Sequence, residues 1–576
     1  MMKKLLLLLS VIHYSHAAFG QSFVTPFEQS KGLRSATYRQ AISFYEQLDK
    51  KFNTISMAEA GPTDVSYPLH VVFYNNRGDF DLNAWKNRGN IIILVNNGIH
   101  PGEPDGIDAS MMLLRDAAGG KIKIPDNVML AVVPVFNIGG ALNRGSYSRA
   151  NQNGPEEYGF RGNAQNLDLN RDFIKLDAKE TQSLVQLFHK LDPEVFIDNH
   201  VSNGADYQHV MTLLSTQHNK LGGKMGAYLK EILEAQIYGD MKKRGYDLVP
   251  YVNHWGHTPE KGWIGFHEGP RFASGFTTLF QTYGFVPETH MLKPFKDRVN
   301  ATYALMQTLI KVSSEHAADI KATRQQDRLA LLNESALTTE WMVDTSAKTS
   351  ITFKGYESGY KPSEVSGQPR LFYDKSKPYT KEVQLMDTYV PKQEMAVPKA
   401  YVIGQAWTRV IERLKMNGVV MQQLEKDSTM QVGAYYIENY ETGKRPYEGH
   451  YLHTDVTARL DTKTIRLLKG DYIVPVTQRA KRYLVETLEP MAPDAFFAWG
   501  FFDAILQQKE YFSNYVFEDE AAELLKNDPT LAQKLRDKQE ADPAFAKDGA
   551  AQLDFIYRNS PYYEQSHMRY PVFRIE

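Results

Sequence analysis

The chain has 576 residues, of which 42% are hydrophobic, 12% aromatic and 23% charged, and this composition excludes a disordered or fibrous protein. The length exceeds what one hydrophobic core usually organises, so two or more domains are expected. Its 66 basic and 68 acidic residues leave a formal net charge of -2, which gives no electrostatic case for nucleic acid as a partner.

The first residues have the pattern of a secretory signal peptide, which we assign to residues 1–20. Lys3 and Lys4 precede an apolar stretch from Leu5 to Ile12, and small residues follow. This stretch is too short to span a bilayer and no other long uncharged apolar run occurs, so we expect an exported protein without stable membrane insertion. The chain has no cysteine, and export without disulfides fits a bacterial periplasm or exterior.

Residues 25–320 alternate apolar runs with amphipathic segments, which is typical of an α/β domain. In chain order we predict a helix over 38–52, strands over 69–74 and 90–95, a helix over 107–117, a strand over 128–136, a helix over 179–191 and a strand over 194–198. A short apolar run then leads into Glu288, and a helix over 292–316 closes the domain. These elements predict a mixed, largely parallel sheet flanked by helices.

The composition changes near Lys321, where a polar stretch indicates a connector. Short alternating runs at 350–353, 401–403 and 472–476 then predict a β-rich second domain. The charged tail over 522–547 is predicted to be helical, with breaks at Asp528-Pro529 and Asp542-Pro543. We therefore assign 321–576 to a C-terminal accessory α+β domain.

The strongest local motif is NNGIHPGEPDG, which places His100 and Glu103 directly after the apolar run IIILV. Side chains that follow a strand emerge at the carboxyl edge of a sheet, where active sites of α/β folds lie. Imidazole nitrogen and carboxylate oxygen are both good ligands for zinc. His-x-x-Glu alone is a weak signal, because a turn with a satisfied polar pair has the same sequence, and His257 to Glu260 repeats the spacing in a predicted loop.

Two further motifs make the pattern more specific. RGNAQNLDLNRDF spans Arg161 to Phe173, and VFIDNH places His200 at the end of a buried strand. The chain thus has, in order, His-x-x-Glu, an arginine, Asp-x-Asn-Arg, a histidine after a strand and a late glutamate. In this order it resembles the zinc carboxypeptidase family, the carboxypeptidase A-like metallopeptidases, over about residues 25–320.

The resemblance implies one zinc ion bound by His100, Glu103 and His200. Asp168, two residues before the asparagine of Asp-x-Asn-Arg, takes the place of a carboxylate that orients the first zinc histidine. Zinc with three protein ligands and one open position is the usual catalytic arrangement.

The resemblance also implies the residues that handle the substrate. Arg161 takes the place of the arginine that polarises the scissile carbonyl, and Asn170 with Arg171 takes the place of the pair that holds the terminal carboxylate. A guanidinium fork suits a carboxylate, so such an arginine selects for a free chain end. For Arg171 alone, a structural salt bridge with Asp172 is an equally good interpretation.

The segment YGFVPETHMLK places Glu288 after a short apolar run near the end of the domain, as in the family. The resemblance implies that Glu288 is the general base, which takes a proton from water and passes it to the leaving amine. The alternative is a surface glutamate that caps the helix predicted from Leu292. We expect an orienting or surface role for the neighbouring His290.

The chain departs from the family in one respect. Family members usually have a tyrosine upstream of the catalytic glutamate, in a loop that closes over substrate. Here Phe276 occupies the place where we expect it, and Tyr283 lies much nearer to Glu288. The sequence therefore assigns no residue to this role, and none to the base of the specificity pocket.

The remaining candidate motifs indicate no second chemistry. The pairs His254/His257 and His450/His453 lack a strand-end setting, so we predict that they bind no metal. No nucleophile elbow, phosphate loop or dinucleotide fingerprint occurs. The C-terminal region resembles extensions found on some bacterial members of the family, which implies an appended domain without defining its role.

The sequence therefore predicts a zinc metallocarboxypeptidase that acts on peptides with a free C-terminus. Two alternatives stay open. The same metal site would serve an amidase of N-acyl amino acids or cell-wall peptides, and the missing tyrosine leaves an inactive zinc-binding recognition protein. The sequence does not define the oligomeric state.

Overall fold

The computed structural model describes residues 23–254 and 257–576, so the predicted signal peptide over 1–20 lies outside the described residues. The chain forms two compact units. One comprises the residues up to Ala330 together with Trp341–Val390, and the other comprises Leu331–Glu340 and Pro391–Glu576. None of the described helices combines the length and apolar character that crossing a membrane requires.

The main sheet of the first unit has seven strands in the order β1-β2-β4-β3-β5-β8-β6. Its strands are β1 (Ile55–Gly61), β2 (Leu69–Tyr74), β3 (Ile91–Asn97), β4 (Val128–Val133), β5 (Val195–Ser202), β6 (Met211–Ser215) and β8 (Tyr283–His290). The short strand β7 (Trp263–Ile264) lies outside this sheet. The central strands β4, β3, β5 and β8 pair in parallel, whereas the pairs β1-β2, β2-β4 and β6-β8 are antiparallel. The predicted mixed, largely parallel sheet is thus confirmed.

Burial explains the continuous apolar runs IIILV in β3 and VMLAVV in β4. Every residue of β3, β4 and β5 is buried, because helices cover both faces of the sheet. The helices of this unit are α1 (Pro26–Gln29), α2 (Tyr38–Lys51), α3 (Leu82–Asn87), α4 (Asp105–Ala118), α5 (Ile138–Leu142), α6 (Lys179–Leu191), α7 (His218–Leu221), α8 (Gly223–Tyr228), α9 (Glu234–Lys243), α10 (Ala273–Thr278), α11 (Phe295–Glu315) and α12 (Ala317–Asn333). A π-helical turn over Leu229–Leu233 joins α8 to α9.

The connector predicted near Lys321 is wrong, because this stretch lies within α12. Ile320 and Arg324 are buried, and Arg324 donates to the carbonyl of Gln281 and pairs with Asp192. The polar sequence of α12 is therefore compatible with packing against the domain, because a buried charge such as that of Arg324 is paired. The predicted domain boundary at 320/321 falls inside this helix.

A long hairpin after α12 also belongs to the first unit. It consists of β10 (Thr349–Pro362) and β11 (Pro369–Met386), and β11 pairs in parallel with β7. Strands β9 (Ala336–Val343) and β12 (Tyr389–Ala396) form a separate two-stranded sheet.

The second unit contains a six-stranded sheet in the order β14-β17-β13-β18-β15-β16, so the predicted β-rich character is present. Its strands are β13 (Ala400–Ile403), β14 (Gln422–Gln423), β15 (Ser428–Thr442), β16 (His453–Leu467), β17 (Tyr472–Pro475) and β18 (Val572–Ile575). Its helices are α13 (Thr408–Met416), α14 (Lys481–Leu488), α15 (Asn514–Asn527), α16 (Pro529–Ala541) and α17 (Gly549–Arg558). The tail is helical and interrupted at Asp528 and Asp542, as the two Asp-Pro steps predict.

Candidate active site

Three adjacent parallel strands bring the sequence-predicted residues to one edge of the main sheet. Strand β3 ends at Asn97, and Gly98, with φ of +67°, lets the chain turn toward His100. His200 lies near the end of β5 and Glu288 near the end of β8, where the two residues are partners in register. These residues therefore lie at the carboxyl edge of the parallel strands, where α/β proteins bind their ligands.

His100, Glu103 and His200 form a buried group with the geometry of a metal site. One ligand atom from each residue lies within 4.8 Å of the others, and within residues 23–254 and 257–576 no second such group occurs. Glu103 Oε1 is 3.4 Å from His100 Nδ1, and Glu103 Oε2 is 3.2 Å from His200 Nδ1. Two imidazoles and one carboxylate are a donor set of catalytic zinc sites, so these residues fit zinc.

The outer nitrogens of both imidazoles contact carboxylates. His100 Nε2 is 2.9 Å from Asp168 Oδ1, and His200 Nε2 is 3.1 Å from Asp198 Oδ2. A carboxylate that accepts the Nε2 proton leaves the Nδ1 lone pair directed toward Glu103 and available to a metal. Sequence reasoning placed Asp168 here but missed Asp198. The sequence did contain a signal for Asp198, because it lies two residues before His200 in the same strand, and residues two apart in a strand share a face.

Arg149 is a further member of the site that the sequence did not indicate. Its Nη1 donates to Glu103 Oε1 at 2.7 Å, and its Nη2 donates to the carbonyl of Val201 at 3.1 Å. The backbone N–H of Val201 donates to the other oxygen of Glu103 at 2.8 Å. These contacts fix the orientation of the Glu103 carboxylate.

The residues predicted to bind substrate line the same cavity. Arg161 Nε donates to Asp168 Oδ2 at 3.0 Å, and its side chain remains 45% exposed, which leaves it accessible to a ligand. Asn170 Oδ1 accepts from the backbone N–H of Ala273 at 3.1 Å. The guanidinium of Arg171 lies 4.2 Å from the ring centre of Phe272.

The acidic residue nearest to the Arg171 guanidinium is Asp168 and not Asp172, the partner considered from the sequence. Asp172 is fully buried and pairs with Lys175 at 2.7 Å. Arg171 Nη1 instead lies 3.9 Å from Asp168 Oδ2.

Glu288 is partly buried and lines the cavity, and the helix that follows has Pro294, not a glutamate, as its N-cap. Burial raises its pKa to about 8; His200 opposes the shift, and the nearby Glu103 and Glu268 add to it. The neighbouring His290 is buried and contacts the carbonyl of Ala205 through Nε2 at 2.9 Å, which is a structural role.

The cavity has a volume of about 460 Å³. It is lined by the metal-ligand candidates, by the three arginines described above and by Glu288, and it also contains Tyr251, Phe266 and Glu268. Its mixed walls combine charged groups for orientation with apolar surface, as is usual in ligand sites.

Neither aromatic residue considered for the missing tyrosine reaches the cavity. Phe276 is buried against Phe173 and Phe188, with ring centres 5.4 Å away in each case. The hydroxyl of Tyr283 bonds Thr323 at 2.9 Å. Tyr251, from a different segment, is the tyrosine that lines the cavity among the residues described.

The additional histidine motifs have other partners. His453 contacts Thr442 Oγ1 at 2.9 Å and Asp503 Oδ1 at 3.0 Å. His450 stacks on Phe501. Neither belongs to a group of metal-ligand geometry in the described part of the chain.

Comparison with known proteins identifies the relatives of this chain. No family model matches the sequence. A curated protein named carboxypeptidase 2, from Trichophyton rubrum, is 22% identical over 437 residues, which cover 71% of this chain and 73% of the relative. The carboxypeptidase 2 of Trichophyton tonsurans is also 22% identical, over 440 residues, with the same coverage of 71% and 73%. The chain is thus similar to curated carboxypeptidases along about seven-tenths of its length. The resemblance inferred from the motifs is thus confirmed at the level of the family.

Solved structures of carboxypeptidases overlap with this chain in part. A metallo-carboxypeptidase from Burkholderia cenocepacia is 16% identical, with a TM-score of 0.37, over 49% of this chain and 70% of that one. Carboxypeptidase A from Helicoverpa armigera is 13% identical, with a TM-score of 0.38, over 50% of this chain and 74% of that one.

Proposed function

We propose that this chain is a zinc metallocarboxypeptidase that removes residues from the free C-terminal end of peptides. One observation carries the proposal: His100, Glu103 and His200 offer three converging ligand atoms in the same cavity as Glu288. The curated relatives named carboxypeptidase 2 support this class of hydrolase.

The ligand group and Glu288 have complementary tasks. Zinc held by His100, Glu103 and His200 would supply Lewis acidity, which lowers the pKa of water and polarises a carbonyl. Glu288 accepts a proton from the attacking water and returns it to the nitrogen of the leaving residue. Asp168 and Asp198 keep both histidines in the tautomer that the ligand role requires.

The positive groups of the cavity define the substrate end. Asn170 and Arg171 bind the terminal carboxylate, for which a guanidinium offers paired charge-assisted hydrogen bonds. Arg161 is directed toward the developing negative charge on the scissile carbonyl oxygen, where a fixed positive group stabilises the transition state. Together they make the cut an exopeptidase cut.

Export is part of the proposal and is supported by the basic start and apolar stretch of residues 1–20. In a periplasmic or secreted setting the substrates would be peptides that reach that compartment.

The experiment compares peptides of one sequence with a free or an amidated C-terminus, with products followed by mass spectrometry. We expect stepwise loss of residues from the free peptide and roughly 100-fold slower cleavage of the amide, since Arg171 loses its ionic partner. Equal cleavage of both would contradict a carboxypeptidase. Cleavage restricted to N-acyl amino acids or cell-wall peptides would indicate the amidase instead.

A further inference from the structure

The second unit contains a cavity that the proposed reaction does not use. It has a volume of about 440 Å³ and lies between the first turns of α15, the segment before this helix, and the end of α17 with the residues that follow it. Five of the residues that line it are aromatic: Tyr511, Phe512, Phe517, Tyr557 and Tyr562. Its walls therefore suit the apolar parts of a ligand.

The aromatic residues form a packed floor and an exposed rim. Phe512, Phe517 and Tyr557 make up the floor, with ring centres 4.7–5.7 Å apart. Tyr511 and Tyr562 make up the rim, and they are 72% and 56% exposed. A single exposed aromatic residue is ordinary, but a group of them around a cavity marks a binding surface.

The charged groups of this cavity all have the same sign. Among the described residues that line it, the charged ones are Glu510 and Glu520; both are exposed, and neither forms an ion pair with a described lysine or arginine. The nearby Lys509 and Arg558 bond other side chains, at 2.7 and 2.6 Å. The cavity therefore has a negative potential, which attracts a cation and disfavours nucleic acid and anionic lipid.

A lysine or arginine side chain of a polypeptide matches both the rings and the charge. The face of an aromatic ring attracts a cation, and the aliphatic stem packs on the rings while the charged end reaches a carboxylate. The hydroxyl of Tyr562 donates to Glu520 Oε2 at 3.3 Å, which holds one carboxylate beside the rim. Extended, proline-containing segments dock on aromatic surfaces of this kind. A neutral sugar would use the rings but gain nothing from the two negative charges.

We propose that this cavity docks an extended segment of another polypeptide through a lysine or arginine side chain, which packs against the rings with its charge toward Glu510 and Glu520. The proposal goes beyond peptide cleavage and does not depend on it, because every residue that lines the cavity belongs to the second unit.

The first test compares two peptides that differ by one charge. Each consists of glycine and proline residues around a central lysine or norleucine, with a fluorophore at the amino end and an amide at the carboxyl end. Neither peptide can therefore be held or trimmed through a terminal carboxylate. Titration with the purified full-length protein, followed by fluorescence anisotropy, should show roughly 5- to 30-fold tighter binding of the lysine peptide. Equal affinities, or no binding of either peptide, would overturn the proposal.

The second test changes the charge inside and outside the cavity. Glu510→Gln combined with Glu520→Gln should abolish the preference for lysine. Glu518→Gln combined with Asp519→Asn removes the same charge from exposed positions of α15 that do not line the cavity, and this variant should keep the preference. An equal loss in both double variants would mean attraction by a generally acidic surface, and the proposal would fall.

The third test removes the rings. Tyr511→Ser combined with Tyr562→Ser should weaken binding of the lysine peptide roughly 5- to 30-fold. Tyr515→Ser removes a tyrosine that is 85% exposed but does not line the cavity, and it should bind like the wild-type protein. If a neutral oligosaccharide such as cellohexaose binds instead, with loss in the double variant and no preference for the lysine peptide, the cavity takes a sugar and the assignment to a polypeptide is wrong.

Discussion

Replacing Asp198 with asparagine should weaken zinc binding without removing any candidate ligand. Asp198 is fully buried; its Oδ2 lies 3.1 Å from His200 Nε2, and its Oδ1 accepts from Asn96 Nδ2 at 3.0 Å. The carboxylate keeps the proton of His200 on Nε2 and leaves the lone pair on Nδ1, which faces Glu103. An asparagine that still accepts from Asn96 turns its NH₂ group toward His200. The imidazole proton then moves to Nδ1, where it blocks a metal.

Loss of such a partner behind a zinc histidine costs roughly 10- to 100-fold in metal affinity, which corresponds to about 1.4–2.7 kcal/mol. We expect the zinc dissociation constant of Asp198→Asn to rise by that factor in a competition titration with a chromogenic chelator. Asp427→Asn makes the same chemical change at a site in the second unit where the aspartate side chain is 49% exposed. This control should bind zinc like the wild-type protein.

The melting temperature of the metal-free protein separates a loss of affinity from a loss of fold. An unchanged zinc dissociation constant in an Asp198→Asn variant that melts like the wild-type apoprotein would refute the tautomer argument. A variant that no longer folds without metal would instead assign Asp198 to the stability of β5.

Three further predictions concern catalysis, substrate binding and stability. Glu288→Gln should lower kcat about 10²- to 10⁴-fold while the zinc content stays unchanged; a variant that keeps more than about a tenth of the activity would argue against a general base. Arg171→Met should raise KM for peptides with a free carboxylate roughly 10- to 100-fold in initial-rate assays, and an unchanged KM would exclude its binding role. Asp108 is fully buried with one unpaired oxygen, and burial raises its pKa from 3.8 to about 8. The folded protein therefore holds a proton that the unfolded chain has released, so the free energy of unfolding falls as pH rises from about 4 to 8, by up to about 1.4 kcal/mol per pH unit. Urea unfolding of the apoprotein at pH 5 and 8 should show this loss in the wild-type protein but not in Asp108→Asn, and parallel pH dependences would contradict it.

The central part of the fold was predictable because burial on both faces leaves a clear sequence pattern. The run IIILV in β3 and the run VMLAVV in β4 are apolar throughout, and helices α2 and α6 show regular helical spacing. Edge strand β1 was missed because its sequence, ISMAEAG, contains no continuous apolar run and only Ile55 is buried. Helix α12 was missed because its charges are paired in the folded chain rather than solvated.

The candidate site was predictable only where side chains follow strands. His100, Glu103, His200 and Glu288 are positioned by strand ends, so their order in the chain reveals their neighbourhood. Arg149 and Glu268 come from loops without a motif, and contacts such as Arg149 with Glu103, 46 residues apart, arise from tertiary folding alone. No sequence pattern predicts such a contact.

The central claim is that His100, Glu103 and His200 hold a zinc ion that C-terminal trimming requires. Metal content and release of C-terminal residues from a mixed peptide pool should be measured together on the purified wild-type protein and on His200→Ala. We predict one zinc per chain with stepwise release in the wild-type protein, and loss of both in the variant. A wild-type protein that trims peptides without bound metal, or that binds no zinc, would contradict the account.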